Sequence, residues 1–311
     1  MDGTETLRRF NRTYTQRIGA LDESFLGLGL PLGAARLVFE IGSAPSGRGG
    51  ATVRELRDRL DLDSGYLSRL LRTLEARGLV DVRPDRSDRR RRWVTLTARG
   101  RSTRRRLDQR SEELAEALLA PLTERQRGRL VEALAAADLL VRAATVHLRD
   151  VDPAAPSAVE AVEHYFAELD RRFPGGFDAT DARADDAVAM APGRGRFVIA
   201  TSDGRPVACG GVQTIDTAAY GSVAEIKRMW VHPDWRGAGL GSRLLRHLEA
   251  VGAGLGHDRV VLDTNGTLGE AIAMYERAGY AAIERYNDNP YAQAWFVKAL
   301  QVRPQTPVPK C

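Results

Sequence analysis

A glycine-rich turn in the second half of the chain carries the clearest chemical signal. Residues 222–232 are predicted to form a strand, residues 236–241 read Arg-Gly-Ala-Gly-Leu-Gly, and a helical pattern follows. Glycines in this position leave backbone N–H groups exposed at a helix N-terminus, where they can bind phosphate oxygens. The turn has neither the Gly-Lys-Ser/Thr ending of a Walker A motif nor the glycine spacing of a dinucleotide-binding fingerprint. It therefore predicts a phosphate site of another kind.

The spacing Arg-x-x-Gly-x-Gly at Arg236, Gly239 and Gly241 resembles the pyrophosphate-binding motif of the GNAT acyltransferase superfamily. A second signature of that superfamily, a helix ending in Tyr-x-x-x-Gly-aromatic, is matched by residues 270–280. The resemblance covers about residues 143–300. It implies an α/β domain with a central mixed, mostly antiparallel sheet. The elements predicted around the motifs are a strand over 143–150, helices over 157–173, 237–251 and 270–280, and strands over 196–201, 205–214, 222–232, 260–264 and 294–300.

The resemblance implies acetyl-CoA as co-substrate. The backbone N–H groups of residues 236–241 would hold its pyrophosphate, and the backbone of residues 229–231 would pair with its pantetheine arm. The residues implied in binding it are Met229, Trp230, Val231, Arg236, Gly237, Ala238, Gly239, Leu240, Gly241 and Ser242. The two cysteines and five histidines lack the spacing of a zinc site, so no metal is expected.

Two catalytic roles also follow from the resemblance. Tyr275 lies where the superfamily places a phenol that protonates the departing thiolate, and a phenol with a pKa near 10 suits that task. Glu225 lies where a carboxylate often deprotonates the substrate ammonium. The alternatives are a core aromatic for Tyr275 and a strand residue on a solvated face for Glu225. The sequence departs from the pattern at Leu268, where many members carry Asn, and Asn265 lies three residues earlier.

The first half of the chain carries the basic charge. Residues 1–142 hold 28 Lys and Arg against 20 Asp and Glu, whereas the rest holds 18 against 21. Residues 81–106 alone hold eleven Arg and three Asp. Such asymmetry predicts nucleic-acid binding by one part of the chain.

Short helices and a hairpin position this charge. A capping-box pattern at residues 52–55 opens a helix over 53–60, and a second helix over 64–77 follows a tight turn. Alternating strands then flank an Arg-rich loop over 84–92. Two helices followed by a basic hairpin predict a winged helix-turn-helix, whereas the helices alone would fit an ordinary helical hairpin.

The run Asp-Ser-Gly-Tyr-Leu-Ser-Arg-Leu-Leu at 63–71, together with Leu-Thr-Ala-Arg-Gly at 96–100, resembles the MarR family of transcription regulators. The resemblance covers roughly residues 5–142. It implies a homodimer formed through the terminal helices, here predicted over 98–119 and 123–142, on a pseudo-palindromic site in double-stranded DNA. The residues implied in DNA binding are Ser64, Tyr66, Ser68, Arg69 and Arg72 of the second helix and Arg86, Asp88, Arg89 and Arg90 of the wing.

The sequence thus predicts two domains, a mainly α winged helix-turn-helix over 1–142 and an α/β GNAT domain over 143–311. Two cysteines, no long apolar run and no secretory pattern at the start favour a cytoplasmic protein without a membrane partner. The expected function is a DNA-binding regulator joined to an acetyltransferase that acts on a small amine or amino acid. The alternatives are a GNAT-like domain that only senses acetyl-CoA or an amine, which Leu268 keeps open, and a protein-lysine acetyltransferase. Candidate acceptor-binding residues are Arg171, Arg172, Tyr286 and Asn287.

Overall fold

The computed structural model describes residues 2–43, 49–84, 91–178, 188–191, 193–202 and 204–301. Its chain divides into two compact units, Met1–Val131 and Glu132–Cys311. The dividing point falls within a long helix, Glu124–Thr145, which also contains the domain boundary that the sequence predicts at residue 142. Each unit is described separately below.

The first unit is mainly helical, with a small sheet at one edge. Its strands pair antiparallel in the order β1-β3-β2. Its elements are α1 (Gly3–Arg17), a 3₁₀ turn (Phe25–Gly27), α2 (Leu32–Gly42), β1 (Gly50–Thr52), α3 (Val53–Leu60), α4 (Ser64–Ala76), β2 (Val80–Pro84), β3 (Arg92–Leu96), α5 (Ala98–Leu119) and the beginning of α6 (Glu124–Thr145), which continues into the second unit.

Local capping fixes the helix pair α3 and α4, as the sequence predicts. The Thr52 hydroxyl accepts a hydrogen bond from the Glu55 N–H at 3.1 Å, and the Thr52 N–H donates to the Glu55 carboxylate at 2.7 Å. Asp63 caps α4 by accepting from the Tyr66 N–H at 2.9 Å. Such caps satisfy N–H groups that a helix start leaves unpaired. The fully buried side chains of Leu56, Leu67 and Leu74 join the two helices to one core.

The second unit is a seven-stranded sheet with helices packed on it. The strand order is β4-β5-β6-β7-β8-β10-β9, antiparallel except for the β7–β8 pair. The mixed, mostly antiparallel sheet that the sequence predicts is therefore confirmed. Its elements are β4 (Leu148–Val151), α7 (Pro156–Arg172), β5 (Gly195–Ser202), β6 (Arg205–Thr217), β7 (Gly221–Val231), a 3₁₀ turn (Pro233–Trp235), α8 (Leu240–Gly254), β8 (Arg259–Thr264), α9 (Gly269–Arg277), β9 (Ala281–Ile283) and β10 (Ala294–Ala299).

Several predicted boundaries are wrong. The strand predicted over 205–214 continues to Thr217, and the helix predicted over 270–280 ends at Arg277. The predicted strand over 143–150 begins only at Leu148, because α6 continues to Thr145 and the Thr145 hydroxyl bonds back to the Val141 carbonyl at 2.9 Å. The predicted helix start at residue 237 moves to Leu240, because the glycine turn remains non-helical through Gly239. Strand β9 is not predicted from the sequence. None of the helices among the described residues has the length and apolar character that a membrane crossing requires.

Candidate functional site

The glycine turn bends sharply before it enters α8. Gly237 and Gly239 have φ values of +80° and +76°, a left-handed conformation that side chains disfavour. A Cβ on Gly241 would lie 3.3 Å from the sulfur of Met274, so a larger residue there would press on α9. The first N–H groups of α8 have no partner within the helix and face the turn. This backbone fits the phosphate cradle that the sequence predicts.

A cavity of about 560 Å³ lies beside this turn. Its lining includes every residue implied in acetyl-CoA binding except Ala238, which packs against the core of the second unit. Arg172 and Tyr275 also line it. The cavity, here called the cofactor cavity, therefore joins the phosphate cradle to the end of β7 and to α9.

Arg236 anchors the turn through its side chain. Its Nε donates to the Val231 carbonyl at 3.0 Å, and one Nη lies 2.5 and 2.7 Å from the two carboxylate oxygens of Glu168 on α7. Trp230 Nε1 donates to the same carboxylate at 2.9 Å. Burial alone would raise the pKa of Glu168, but these hydrogen bonds and the Arg236 charge lower it below its ordinary value. Glu168 thus holds together the turn, β7 and α7, and the sequence reasoning missed it.

The sheet opens where β7 passes the site. The parallel pairing of β7 with β8 covers only Ala224 and Glu225. Further along β7, Arg228 and Met229 both lie opposite Gly210 of β6, and Arg228 has a φ of +56°. Such a bulge bends the strand and redirects its side chains. The following residues of β7, Met229 among them, line cavities instead of pairing with β8.

A second cavity, of about 440 Å³, lies on the other side of Tyr275. It is called here the acceptor cavity. The two cavities share six lining residues, which are Tyr165, Leu169, Met229, Leu268, Ala271 and Tyr275. A group bound in one cavity can therefore meet a group bound in the other beside Tyr275.

Tyr275 occupies the junction as a buried phenol, 6% exposed, on α9. Its ring centroid lies 5.8 Å from that of Tyr280 and 6.0 Å from that of Phe296. Burial, followed by the nearby Tyr165 and the charge of Asp263, raises its pKa above the ordinary value for tyrosine. The phenol therefore keeps its proton at neutral pH and can give it to a stronger base.

Glu225 lines neither cavity. It is 2% exposed, and its carboxylate accepts hydrogen bonds from Gln213 at 2.5 Å, Tyr286 at 2.8 Å and Asn287 at 3.3 Å. The Lys227 ammonium lies 3.2 Å from the same carboxylate. Tyr286 and Asn287, predicted to contact the acceptor, thus hold Glu225 and do not line the acceptor cavity.

Asp263, at the end of β8, places a carboxylate in the lining of the acceptor cavity, as does Asp178. The Asp263 Oδ1 lies 3.4 Å from Lys227 Nζ, and its Oδ2 accepts hydrogen bonds from the amides of Asn287 at 2.9 Å and Asn289 at 2.8 Å. The charges of Glu225 and Asp263 raise the pKa of Lys227 although burial opposes this. The sequence reasoning missed Asp263. The sequence feature that could have indicated Asp263 is its position directly after the apolar run Val-Val-Leu at 260–262.

Leu268 and Asn265 lie where the sequence departs from the superfamily pattern. Leu268 begins α9 without a side-chain cap and lines both cavities. Asn265 accepts from the N–H and hydroxyl of Thr267 and donates to the Tyr291 carbonyl at 2.7 Å. The Asn265 amide therefore fixes the segment that carries Tyr291.

The remaining predicted acceptor residues lie away from the acceptor cavity. Arg172 lines the cofactor cavity and pairs with Glu168 at 3.2 Å and with Glu270 at 3.8 Å. Arg171 is exposed and lines neither cavity. Among the described residues, no cluster of three or more His, Cys, Asp or Glu side chains has the arrangement of a metal site.

In the first unit, α4 presents a polar face opposite its leucines. The Ser68 hydroxyl donates to the Ser64 carbonyl at 2.7 Å, and the Arg69 guanidinium lies 5.8 Å from the Tyr66 ring centre. The exposed residues of this face are Ser64, Tyr66, Ser68, Arg69 and Arg72. The predicted wing residues Arg86, Asp88, Arg89 and Arg90 lie outside the described residues, and only the flanking strands β2 and β3 are seen.

Comparison with known proteins assigns both units. The acetyltransferase (GNAT) family profile matches residues 162–280, and the MarR family profile matches residues 28–91. An "IAA acetyltransferase" of Azospirillum brasilense is 34% identical over 122 residues, which are 39% of this chain and 78% of that protein. The chain therefore belongs to the GNAT acetyltransferase family, and residues 28–91, before the acetyltransferase domain, match the MarR family profile.

Two solved structures illustrate the likeness. A GNAT-family acetyltransferase of Staphylococcus aureus Mu50 is 16% identical with a TM-score of 0.43, and the match covers 50% of this chain and all of that one. The reduced form of MarR from Escherichia coli is 24% identical with a TM-score of 0.37, covering 43% of this chain and 94% of that one.

Proposed function

We propose that the protein is a DNA-binding regulator that also transfers an acetyl group from acetyl-CoA directly to a small amine. The observation that carries the enzymatic part is the junction of the cofactor and acceptor cavities at Tyr275 and Met229. Both cavities are of ordinary size for small-molecule sites. A thioester and an amine bound on either side would therefore react beside a buried phenol.

The residues present fit acetyl-CoA. The positive-φ glycines and the start of α8 form a cradle of backbone N–H groups for the pyrophosphate, which Arg236 keeps in place. Met229 and Val231 line the cofactor cavity together with this cradle and Tyr275. Acetyl-CoA supplies the activated acetyl thioester when bound.

The chain's own residues then have two tasks. A carboxylate must take a proton from the ammonium of the acceptor, because only a neutral amine attacks a thioester. Tyr275 must give a proton to the departing sulfur, and its raised pKa keeps that proton available. Glu225 is connected to the acceptor cavity through Lys227 and Asp263, so it acts here as a positioning residue.

The test uses the purified full chain with acetyl-CoA and a panel of amines and amino acids. We expect release of free CoA thiol that depends on the amine, and an acetylated amine detected by mass spectrometry. Calorimetry with CoA checks occupancy of the cofactor cavity separately. Tight CoA binding without turnover on any acceptor would contradict the enzymatic part and favour a sensor.

We propose further that the first unit binds a pseudo-palindromic DNA site as a homodimer, with the polar face of α4 in the major groove. The support is the exposure of this face together with the basic charge of residues 81–106. Because phosphate contacts release counterions, affinity must fall steeply with salt. Fluorescence anisotropy on DNA selected from a random pool measures this, and salt-insensitive binding would contradict the proposal.

A further inference from the structure

The acceptor cavity has an aromatic wall that the proposed function does not use. Phe173 and Phe177 from the segment after α7 meet Tyr291 from the segment before β10, and all three line the cavity. The ring centroids lie 6.0 Å apart for Phe173 and Phe177, 5.9 Å for Phe173 and Tyr291, and 4.7 Å for Phe177 and Tyr291. Offset and edge contacts at these distances favour a further aromatic ring.

This wall is fixed from several directions. The Asp178 N–H donates to the Tyr291 hydroxyl at 3.0 Å, and Asn265 donates to the Tyr291 carbonyl at 2.7 Å. The Asn289 side chain donates its amide N–H to Asp263, and its oxygen accepts a hydrogen bond from the Tyr291 N–H at 3.1 Å. A ligand ring therefore meets a preorganised surface, which lowers the entropic cost of binding.

Among the described residues, the carboxylates of Asp263 and of Glu225 outnumber the single ammonium of Lys227 at the polar end of the same cavity. Asp263 and Lys227 both line the cavity, and the Asp263 side chain is only 6% exposed. The Lys227 ammonium lies 3.4 Å from Asp263 and 3.2 Å from Glu225, which lies behind the lining. One carboxylate charge is thus left uncompensated within this group of three. Asp178 and Arg228 also line the cavity with opposite charges. An ammonium ligand next to Asp263 would balance the group, whereas a carboxylate ligand would add to its negative charge.

We propose that the acceptor is an aromatic primary amine, with its ring against Phe173, Phe177 and Tyr291 and its ammonium facing Asp263. This inference rests on the proposed acetyl transfer and names the substrate class of that same site. A linear polyamine of similar length carries no ring that could pack against the aromatic wall.

The proton steps follow from this placement. The ammonium gives one proton to Asp263, and the nitrogen lone pair then forms a bond with the acetyl carbonyl carbon. The carbon–sulfur bond breaks, and the sulfur takes the hydroxyl proton of Tyr275. The phenolate recovers the second nitrogen proton, so the products are the acetamide and the free thiol. Asp263 finally releases its proton to water. The charge of Asp263 already acts on the Tyr275 hydroxyl and raises its pKa, in keeping with their common cavity.

The first experiment compares 2-phenylethylamine with n-butylamine and spermidine on the full chain. We expect kcat/KM to be at least about tenfold higher for 2-phenylethylamine, as burying a ring contributes this much or more. Phe177→Leu should reduce the preference over n-butylamine, whereas Phe39→Leu in the first unit should leave it unchanged. Equal use of the three amines, or preference for spermidine, would overturn the proposal.

The second experiment separates this proposal from the proposed function. Calorimetry measures binding of 2-phenylethylamine to the full chain saturated with CoA, so it needs no turnover. We expect Asp263→Asn to weaken this binding about tenfold or more and to lower kcat, with Glu225→Gln having the smaller effect on both. Turnover of other amines without 2-phenylethylamine binding would defeat the inference alone. Binding that depends on Asp263 without any turnover would defeat the proposed function alone. A larger loss in Glu225→Gln would overturn the role of Asp263.

Discussion

The Glu168–Arg236 pair offers a quantitative test of how the phosphate turn is held. Glu168→Gln keeps the volume of the side chain and one acceptor oxygen but removes the charge that faces Arg236 at 2.5 Å. Breaking a buried pair on one side costs about 3–5 kcal/mol. The Arg236 side chain is 36% exposed, however, so water solvates the unpaired guanidinium in part. We therefore expect the loss of this pair to cost about 1–2 kcal/mol.

If this cost falls on the conformation of the turn that binds phosphate, the Kd for CoA rises about five- to thirtyfold. Calorimetry with CoA measures it directly. Glu160→Gln is the matched control, because Glu160 lies on the same helix and is half-exposed with only a 3.9 Å approach to His164. A Kd for Glu168→Gln within about twofold of the wild type would refute the idea that this pair holds the turn.

Three further predictions concern stability and DNA binding. Because the pKa of Glu168 is lowered on folding, its contribution to the free energy of unfolding is present at neutral pH and lost as pH falls through and below the ordinary carboxyl range. Urea unfolding at pH 7 and pH 4 should therefore differ less for Glu168→Gln than for the wild type. Gly100→Ala should destabilise the chain, because its Cβ would clash with the Leu79 carbonyl oxygen, whereas Gly128→Ala meets no atom and should stabilise α6 by up to about 1 kcal/mol. Thermal melts compare the two, and equal shifts would contradict the packing. Arg69→Ala should weaken DNA binding and reduce the salt slope by about 1 if it contacts phosphate. An unchanged slope and affinity would remove Arg69 from the interface.

The sequence was sufficient for features that depend on local chemistry. The capping box at Thr52 and the bounds of α5 are confirmed, because a helix start is set by side chains within one turn. The glycine turn before α8 and the position of Tyr275 on α9 could likewise be read from spacing. These positions needed no knowledge of the tertiary packing.

Features that depend on distant partners could not be read in this way. Glu168 meets Arg236 across 68 positions of sequence, and nothing in its own helix distinguishes it from the neighbouring acidic residues. Glu225 and Asp263 are both single carboxylates in apolar strands, and only the separation of β7 from β8 decides which of them lines the acceptor cavity. The sequence therefore predicts Glu225, because its position matches the superfamily pattern.

The most direct test of the account is thiol release by Tyr275→Phe with the best acceptor of the panel. Tyr280→Phe is the matched control, because Tyr280 is an equally buried phenol whose ring lies 5.8 Å away and lines neither cavity. We predict that Tyr275→Phe lowers kcat by about 10²- to 10⁴-fold while the Kd for CoA stays within a few-fold of the wild type. Tyr280→Phe should keep kcat. Full turnover by Tyr275→Phe, or an equal loss in both variants, would contradict acetyl transfer at the junction of the two cavities.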